Sequence, residues 1–237
     1  SKHPPLLAWI LWGWFRIFPL ADWAYILLAV TTVAVGIYLA IELAAEWLTG
    51  EKLAAVPFLL AVIPFYNFLG LKFDQNSILI PLWALAMWAL IRSLDTRKAG
   101  WAILSGAAAA AAMLTKYWSA FLLLAMALTV LADPRIKSYF RSPAPYLTAA
   151  TALVLLAPHV YWLVVHDFPP LRWGGTRRAS LSVRNWFSGF ASFALGPFAY
   201  GAAALILYWL GARPSREGLA DSLWPSDPYR RRAAILF

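Results

Sequence analysis

Cysteine is absent from the 237 residues of this chain, and charged residues are few. The lack of cysteine excludes a disulfide framework, thiol chemistry and any cysteine-ligated zinc or iron–sulfur site. Charged residues make up 13% of the chain, whereas a typical soluble domain carries about 25%. Acidic residues are the scarcer kind, because 11 of them face 20 lysines and arginines, for a formal charge of +9.

Hydrophobic residues, by contrast, make up 62% of the chain, which is more than the core of a soluble domain can bury. Most of the basic residues lie between long apolar runs, so membrane topology and anionic lipid explain them better than a nucleic acid does. The composition therefore predicts a polytopic integral membrane protein. We expect an all-α bundle of transmembrane helices with no nucleic-acid partner.

Apolar segments of different lengths divide the chain. A spanning helix needs about 20 apolar residues at a rise of about 1.5 Å each. The segment Leu6–Phe18 is shorter than this, is rich in tryptophan and carries one charge, so we predict an interfacial helix that lies along the membrane. The seven predicted membrane segments are Trp23–Leu48, Leu53–Phe68, Ile78–Leu94, Trp101–Leu114, Tyr117–Ala132, Tyr146–Val165 and Trp186–Ala212.

The run Trp101–Ala132 is predicted to form a hairpin of two short helices. Basic residues, among them Lys98 and Arg135, flank it on both sides, and the positive-inside rule places both flanks in the cytoplasm. The tip of the hairpin, Leu114–Tyr117, then reaches the outer side, and a run of small residues allows close helix packing. In this arrangement 12 of the 20 basic residues face the cytoplasm and eight face the other side, where they need an anionic partner.

The whole chain, residues 1–237, is interpreted as one transmembrane domain that is cut from a longer protein at both ends. It begins with Ser1 and without a signal-peptide pattern, and it stops in what resembles the first turn of another apolar helix. Within this domain, residues 1–20 are predicted to form a periplasmic segment and the interfacial helix. Residues 166–185 are predicted to form a periplasmic loop.

Four polar clusters on the predicted outer side are candidate functional sites, because an ionisable group at membrane depth costs a few kcal/mol. They are Ser1–Leu6, Leu71–Asn76, Thr115–Tyr117 and the loop from His166 to Arg178. Each has a structural alternative: snorkelling for the lysines, helix N-capping for Asp74, ordinary loop positions for His166 and Asp167, and lipid binding for Arg177 and Arg178.

These clusters resemble motifs of the GT-C superfamily of membrane glycosyltransferases. The similar branch holds the protein O-mannosyltransferases and the aminoarabinose and galacturonic acid transferases of lipopolysaccharide. Lys2-His3-Pro4-Pro5-Leu6 is similar to its Lys, Pro-Pro-Leu segment, and Asp74 opens a helix as in the family. Thr115-Lys116 resembles its Thr-Lys motif between two short spans, and His166–Arg172 resembles the loop of the galacturonate-transferase-like members. Family members also carry an acidic residue, often taken as the catalytic base, in a first loop that would precede Ser1.

The resemblance implies transfer of a hexosyl or pentosyl group from a polyprenyl-phosphate donor, with inversion, to a lipid, glycan or protein hydroxyl. The reaction would take place on the periplasmic face of a bacterial inner membrane. Asp74 and Lys116 are the implied catalytic residues. The implied substrate-binding and donor-phosphate-binding residues are Lys2, His3, Tyr117, His166, Asp167, Arg172, Arg177 and Arg178.

The chemistry of such a transfer independently suits a site with few carboxylates and many cations. A glycosyl phosphodiester already has a good leaving group, so one carboxylate suffices to take the acceptor proton, and cations stabilise the departing phosphate. A two-carboxylate hydrolase fits this composition poorly. The sequence shows no acidic metal cluster and predicts no required cofactor. A divalent metal site formed by His3, His166 and Asp167 is kept as an alternative.

Two other functions also explain a basic membrane protein. A transporter or flippase of an anionic lipid-linked substrate would likewise place lysine and arginine within the membrane. Transporters usually show an internal repeat with helices broken at matching positions, and this sequence shows neither. A purely structural membrane subunit leaves the cations of the outer face unexplained.

Overall fold

The computed structural model describes residues 3–170, 172, 206, 209–211, 215, 218, 220–221 and 224–236. Within these residues every regular element is a helix, as the sequence predicts. Two short 3-10 turns, Pro64–Tyr66 and Tyr117–Ser119, join α-helices. The α-helices are α1 (Leu6–Ile17), α2 (Asp22–Ala44), α3 (Gly50–Ala61), α4 (Gln75–Thr96), α5 (Ala99–Thr115), α6 (Ala120–Ala132), α7 (Ile136–Phe140), α8 (Ala144–Val165) and α9 (Pro228–Leu236).

Three of these helices, α2, α4 and α8, are long and apolar enough to cross a membrane. They contain 23, 22 and 22 residues, with mean hydropathy between 1.7 and 2.2. A helix of this length reaches about 33 Å, which matches a hydrocarbon core of about 30 Å. Helix α1 forms where the interfacial helix is predicted, and α5 and α6 form the predicted pair of shorter apolar helices.

The predicted segment Leu53–Phe68 is not one continuous helix. Helix α3 ends at Ala61, and the chain then turns through Pro64–Tyr66. Proline disfavours helical backbone in the residue before it, and Ile63 accordingly has an extended conformation (φ −83°, ψ 121°). The predicted segment Trp186–Ala212 lies almost entirely outside the described residues.

Helix α5 lies between α4 and α8, and its small residues allow this close packing. The tightest approach is at Gly106, where a Cβ atom would lie 2.3 Å from the carbonyl oxygen of Thr148 on α8. A hydrogen bond of 3.0 Å from the Thr148 hydroxyl to the carbonyl of Ala102 reinforces the same crossing. The alanines of α5 thus serve the packing role that the sequence predicts.

Helix α4 runs through the bundle and separates two polar ends. Lys116 contacts Asn76 at the beginning of α4, whereas Asp95 lies in its last turn and pairs with Arg135. At about 1.5 Å per residue, 20 residues of α4 separate these two places by about 30 Å. We call them the Lys116 end, formed by residues 73–77, 115–117 and 159–166, and the Asp133 end, formed by residues 95, 133–135 and 229–232.

Candidate functional site

The beginning of α4 is fixed by a reciprocal cap. The carboxylate oxygen Oδ1 of Asp74 accepts hydrogen bonds from the backbone N–H groups of Asn76 (2.8 Å) and Ser77 (3.2 Å). In return the Ser77 hydroxyl accepts from the backbone N–H of Asp74 at 2.8 Å. Such a capping box satisfies backbone groups that the first helical turn leaves unpaired. Asp74, one of the two predicted catalytic residues, is therefore also the N-cap of α4.

Lys116 lies in extended backbone between α5 and the following 3-10 turn (φ −157°, ψ 129°). Its backbone N–H closes α5 through a bond of 3.0 Å to the carbonyl of Ala112, and the preceding Thr115 is fully buried. The half-buried ammonium Nζ donates to Oδ1 of Asn76 at 2.8 Å. This bond brings two of the predicted clusters together, although 40 residues separate them in sequence.

The partner of Lys116 is a neutral amide rather than a carboxylate. None of the ion pairs among the described residues includes Lys116. They lie at the Asp133 end, or join Arg92 to Glu46, Arg172 to Asp167 and Arg230 to Asp221. The positive charge of Lys116 is therefore hydrogen-bonded but not neutralised within that part of the chain. A half-buried cation of this kind favours an anionic ligand such as a phosphate.

Tyr117 connects the same tip to α8. Its hydroxyl lies 2.9 Å from Nε2 of His159, and the two rings are nearly parallel, with centroids 6.0 Å apart. The stack continues along α8 through Trp162 to His166, at centroid distances of 5.9 and 4.6 Å. Tyr117 and His166, both predicted site residues, are thus joined by a row of rings.

Sequence reasoning missed His159. The sequence did contain a signal for it. His159 lies within an apolar segment, and because it precedes His166 by seven residues, the two histidines lie on the same face of a helix. Ionisable residues in such helices mark functional sites by default. Asn76 was named only as part of a cluster, since nothing in the sequence pairs it with Lys116.

Helix α1 covers part of the Lys116 end. The hydroxyl of Tyr25 donates to the carbonyl of Phe73 at 3.0 Å, and Trp14 of α1 donates to the carbonyl of Ala24 at 2.9 Å. Between these helices lies an apolar cavity of about 380 Å³, which adjoins the start of α4 and the last turns of α5. The residues that line it are Leu6, Ile10, Thr31, Thr32, Val35, Phe73, Ile78, Pro81, Leu82 and Ala111.

The remaining predicted residues occupy different surroundings. Asp167 and Arg172 form an ion pair with each other at 3.3 Å, and each side chain is about 70% exposed. His3 is half-buried ahead of α1. In the described part of the chain, no group of three histidine, aspartate or glutamate residues is close enough to hold a metal ion, so His3, His166 and Asp167 do not form one there. Lys2, Arg177 and Arg178 lie outside the described residues.

The Asp133 end holds a buried ionic network that the sequence did not indicate. Arg232 of α9, only 3% exposed, pairs with Asp133 and donates to Asp95 at 2.9 Å. Arg135 also pairs with both carboxylates, so two arginines balance two aspartates. Tyr229 donates to Asp95 at 3.0 Å, and burial together with this carboxylate raises the pKa of Tyr229 to about 12. The network fastens α9 to the ends of α4 and α6.

Comparison with known proteins defines the class of protein. Residues 2–162, more than half of the chain, match the dolichyl-phosphate-mannose-protein mannosyltransferase family. No curated protein and no solved structure matches the chain. The matched region contains the start of α4, the Lys116 tip and most of α8.

The helical membrane fold and this match define a membrane glycosyltransferase of the GT-C superfamily. The chain belongs to the dolichyl-phosphate-mannose-protein mannosyltransferase family. The resemblance seen in the sequence motifs is thereby confirmed, and the protein is a multi-pass membrane protein.

Proposed function

We propose that the protein transfers a sugar from a polyprenyl-phosphate donor to a hydroxyl of a lipid, glycan or protein, at the Lys116 end. The observation that carries this proposal is the half-buried ammonium of Lys116, whose partner is the neutral amide of Asn76. The chain belongs to a glycosyltransferase family, in which such a cation can bind the donor phosphate. Lys116 binds the donor phosphate and stabilises the charge that develops on it as the sugar leaves. Lys116 can keep Asn76 as one partner, because an ammonium has three donors.

The reaction proceeds as a single displacement. The acceptor oxygen forms a bond to the anomeric carbon as the bond from that carbon to the phosphate oxygen breaks, and a carboxylate takes the acceptor proton. Attack from the face opposite the leaving phosphate inverts the anomeric carbon. Asp74 orients the acceptor or supports the base: Oδ1 accepts both capping N–H groups, and Oδ2, which does not take part in this cap, would accept from the acceptor hydroxyl.

The apolar cavity beneath α1 suits the first units of the polyprenyl chain, because it opens beside the start of α4 and has an apolar lining. Donor and acceptor contacts beyond Lys116 are assigned to the remaining predicted residues. These are Lys2, His3, Tyr117, His166, Asp167, Arg172, Arg177 and Arg178.

The Lys116 end is proposed to face the periplasm of a bacterial inner membrane, because the topology predicted from the sequence assigns 12 of the 20 basic residues to the other side. A chain without cysteine allows this to be tested by single-cysteine labelling. A cysteine at Gln75 should react with an impermeant reagent added outside, and one at the exposed Lys98 should react only from inside. Labelling of position 75 from the cytoplasm alone contradicts the orientation.

The transfer itself is tested with the purified full-length protein and radiolabelled polyprenyl-phosphate sugars. Lys116→Met should lower transfer by about two orders of magnitude, the scale for loss of one contact to a developing anion. Lys116→Arg should keep a measurable fraction, because arginine also pairs with phosphate. Lys72→Met is the matched control, since Lys72 is exposed, lies two residues before Asp74 and is predicted to face the same side of the membrane as Lys116.

Transfer by Lys116→Met at a rate near that of the wild-type protein would overturn the site assignment. Movement of the labelled lipid across a vesicle membrane, without transfer of its sugar to any acceptor, would favour a flippase instead.

A further inference from the structure

We propose that His159 is a positioning residue for the Lys116 end. His159 acts through Tyr117, because the Tyr117 hydroxyl lies 2.9 Å from Nε2 of His159. This inference rests on the proposed function of Lys116, because Tyr117 follows Lys116 directly in the chain. The bond between His159 and Tyr117 fixes the tip to α8, as the bond between Lys116 and Asn76 fixes it to α4.

The two bonds differ in what ligand binding does to them. Lys116 keeps Asn76 as one partner and donates its other N–H groups to an incoming anion, so its ammonium is shared between α4 and the ligand. Tyr117 and His159 are both ring side chains that bond and stack with each other, and an anion on Lys116 requires no change in that pair. The second bond therefore holds the tip in place during the step in which the first is shared.

The surroundings of His159 show why this bond matters for α8. The first half of α8 packs tightly on α5 through Thr148 and Thr151, which crowd Gly106. The second half is more exposed, with Tyr161, Val164 and Val165 between 56% and 72% exposed. The pair of Tyr117 and His159 thus connects the loosely packed half of α8 to the tip that carries Lys116.

The free-energy cost of placing a side chain in an apolar membrane helix is also higher for an imidazole than for leucine. Its bond to Tyr117 offsets this cost, and the stacked rings of Trp162 and His166 keep the imidazole plane aligned with that of Tyr117. The arrangement sets the direction in which the tip presents Lys116. A shift of about 1 Å in such a contact can lower a rate by about a hundredfold.

The test compares His159→Leu, His159→Gln and Tyr117→Phe in the full-length protein. His159→Leu and Tyr117→Phe should each lower kcat about tenfold or more, with little change in melting temperature. His159→Gln should recover most of the loss, because an amide can still bond the Tyr117 hydroxyl. The double variant His159→Leu/Tyr117→Phe should be no slower than either single variant. Tyr161→Phe, which removes an exposed hydroxyl from the same helix, is the control.

A measurement without turnover separates this inference from the proposed function. A spin label at an introduced cysteine in place of the exposed Ala120 reports the mobility of the tip. Its mobility should rise in His159→Leu and Tyr117→Phe and stay unchanged in Tyr161→Phe. Unchanged mobility and wild-type kcat in His159→Leu would overturn the inference even if Lys116→Met abolishes transfer. A rise in mobility in a protein that transfers no sugar would support the role of the bond between His159 and Tyr117 in fixing the tip, and would overturn the proposed function.

Discussion

Replacement of Arg232 by methionine should destabilise the protein markedly, because Arg232 belongs to the buried ionic network of the Asp133 end. Its side chain is 3% exposed and contacts both Asp95 and Asp133, of which Asp133 is fully buried. Methionine keeps much of the length and removes the charge, so the network changes from two carboxylates and two guanidinium groups to an excess of one negative charge.

The expected cost follows from this imbalance. Removal of one partner from a buried ion pair typically costs about 3–5 kcal/mol, mainly because the other charge stays buried without compensation. We expect about 3 kcal/mol, the lower end, because Arg135 still faces both carboxylates and is partly exposed. A second substitution, Asp133→Asn, removes the excess charge, so the double variant should be more stable than Arg232→Met alone.

The assay is reversible unfolding in mixed detergent micelles, followed by circular dichroism. Arg230→Met is the matched control, since Arg230 is exposed and its ion pair with Asp221 is 4.0 Å long. A surface pair of that kind contributes little to stability. Equal stability of Arg232→Met and Arg230→Met would refute the reasoning, as would a further loss of stability when Asp133→Asn is added.

Two further predictions concern α9 and α5. Because the pKa of Tyr229 is raised from 10.0 to about 12 in the folded protein, the stability that it contributes is complete below pH 10 and is lost as the pH rises towards 12. Unfolding measurements across this range should show a steeper loss for the wild-type protein than for Tyr229→Phe. Gly106→Ala should cost about 1–3 kcal/mol, because its Cβ would meet backbone of α8 at 2.3 Å.

Each of these predictions has its own check. Equal slopes for the wild-type protein and Tyr229→Phe above pH 10 would show that Tyr229 titrates normally. Gly100→Ala is the control for Gly106→Ala, since a Cβ at Gly100 meets nothing within 4 Å. A Gly106→Ala variant as stable as Gly100→Ala would show that α5 and α8 can separate without cost.

The helices were predictable because their signals are local. Apolar length gave α2, α4 and α8, and the basic flanks of residues 101–132 gave the break at Lys116 between α5 and α6. In residues 53–68 the break lies at Pro64, which is also visible in the sequence, whereas Pro57 lies inside α3. Proline acts through backbone geometry, which an apolar count does not register.

The site was predictable only in part, because its contacts are between distant residues. Asp74 as a helix N-cap follows from the local pattern and was one of the two interpretations. The partners of Lys116 and Tyr117 depend on how α4, α5 and α8 pack, so Asn76 and His159 could not be paired with them from the sequence. The same holds for Arg232, which the sequence marks only as one of three consecutive arginines.

The most direct test of the central claim is the binding of polyprenyl phosphate to the full-length protein in nanodiscs. A charge-assisted bond contributes about 1.5–3 kcal/mol, or about ten- to a hundredfold in affinity. Wild-type protein and Lys72→Met should therefore prefer polyprenyl phosphate over unphosphorylated polyprenol by at least tenfold. Lys116→Met should lose that preference and bind polyprenol as the wild-type protein does. An unchanged affinity of Lys116→Met for polyprenyl phosphate would contradict the assignment of Lys116 to the donor phosphate.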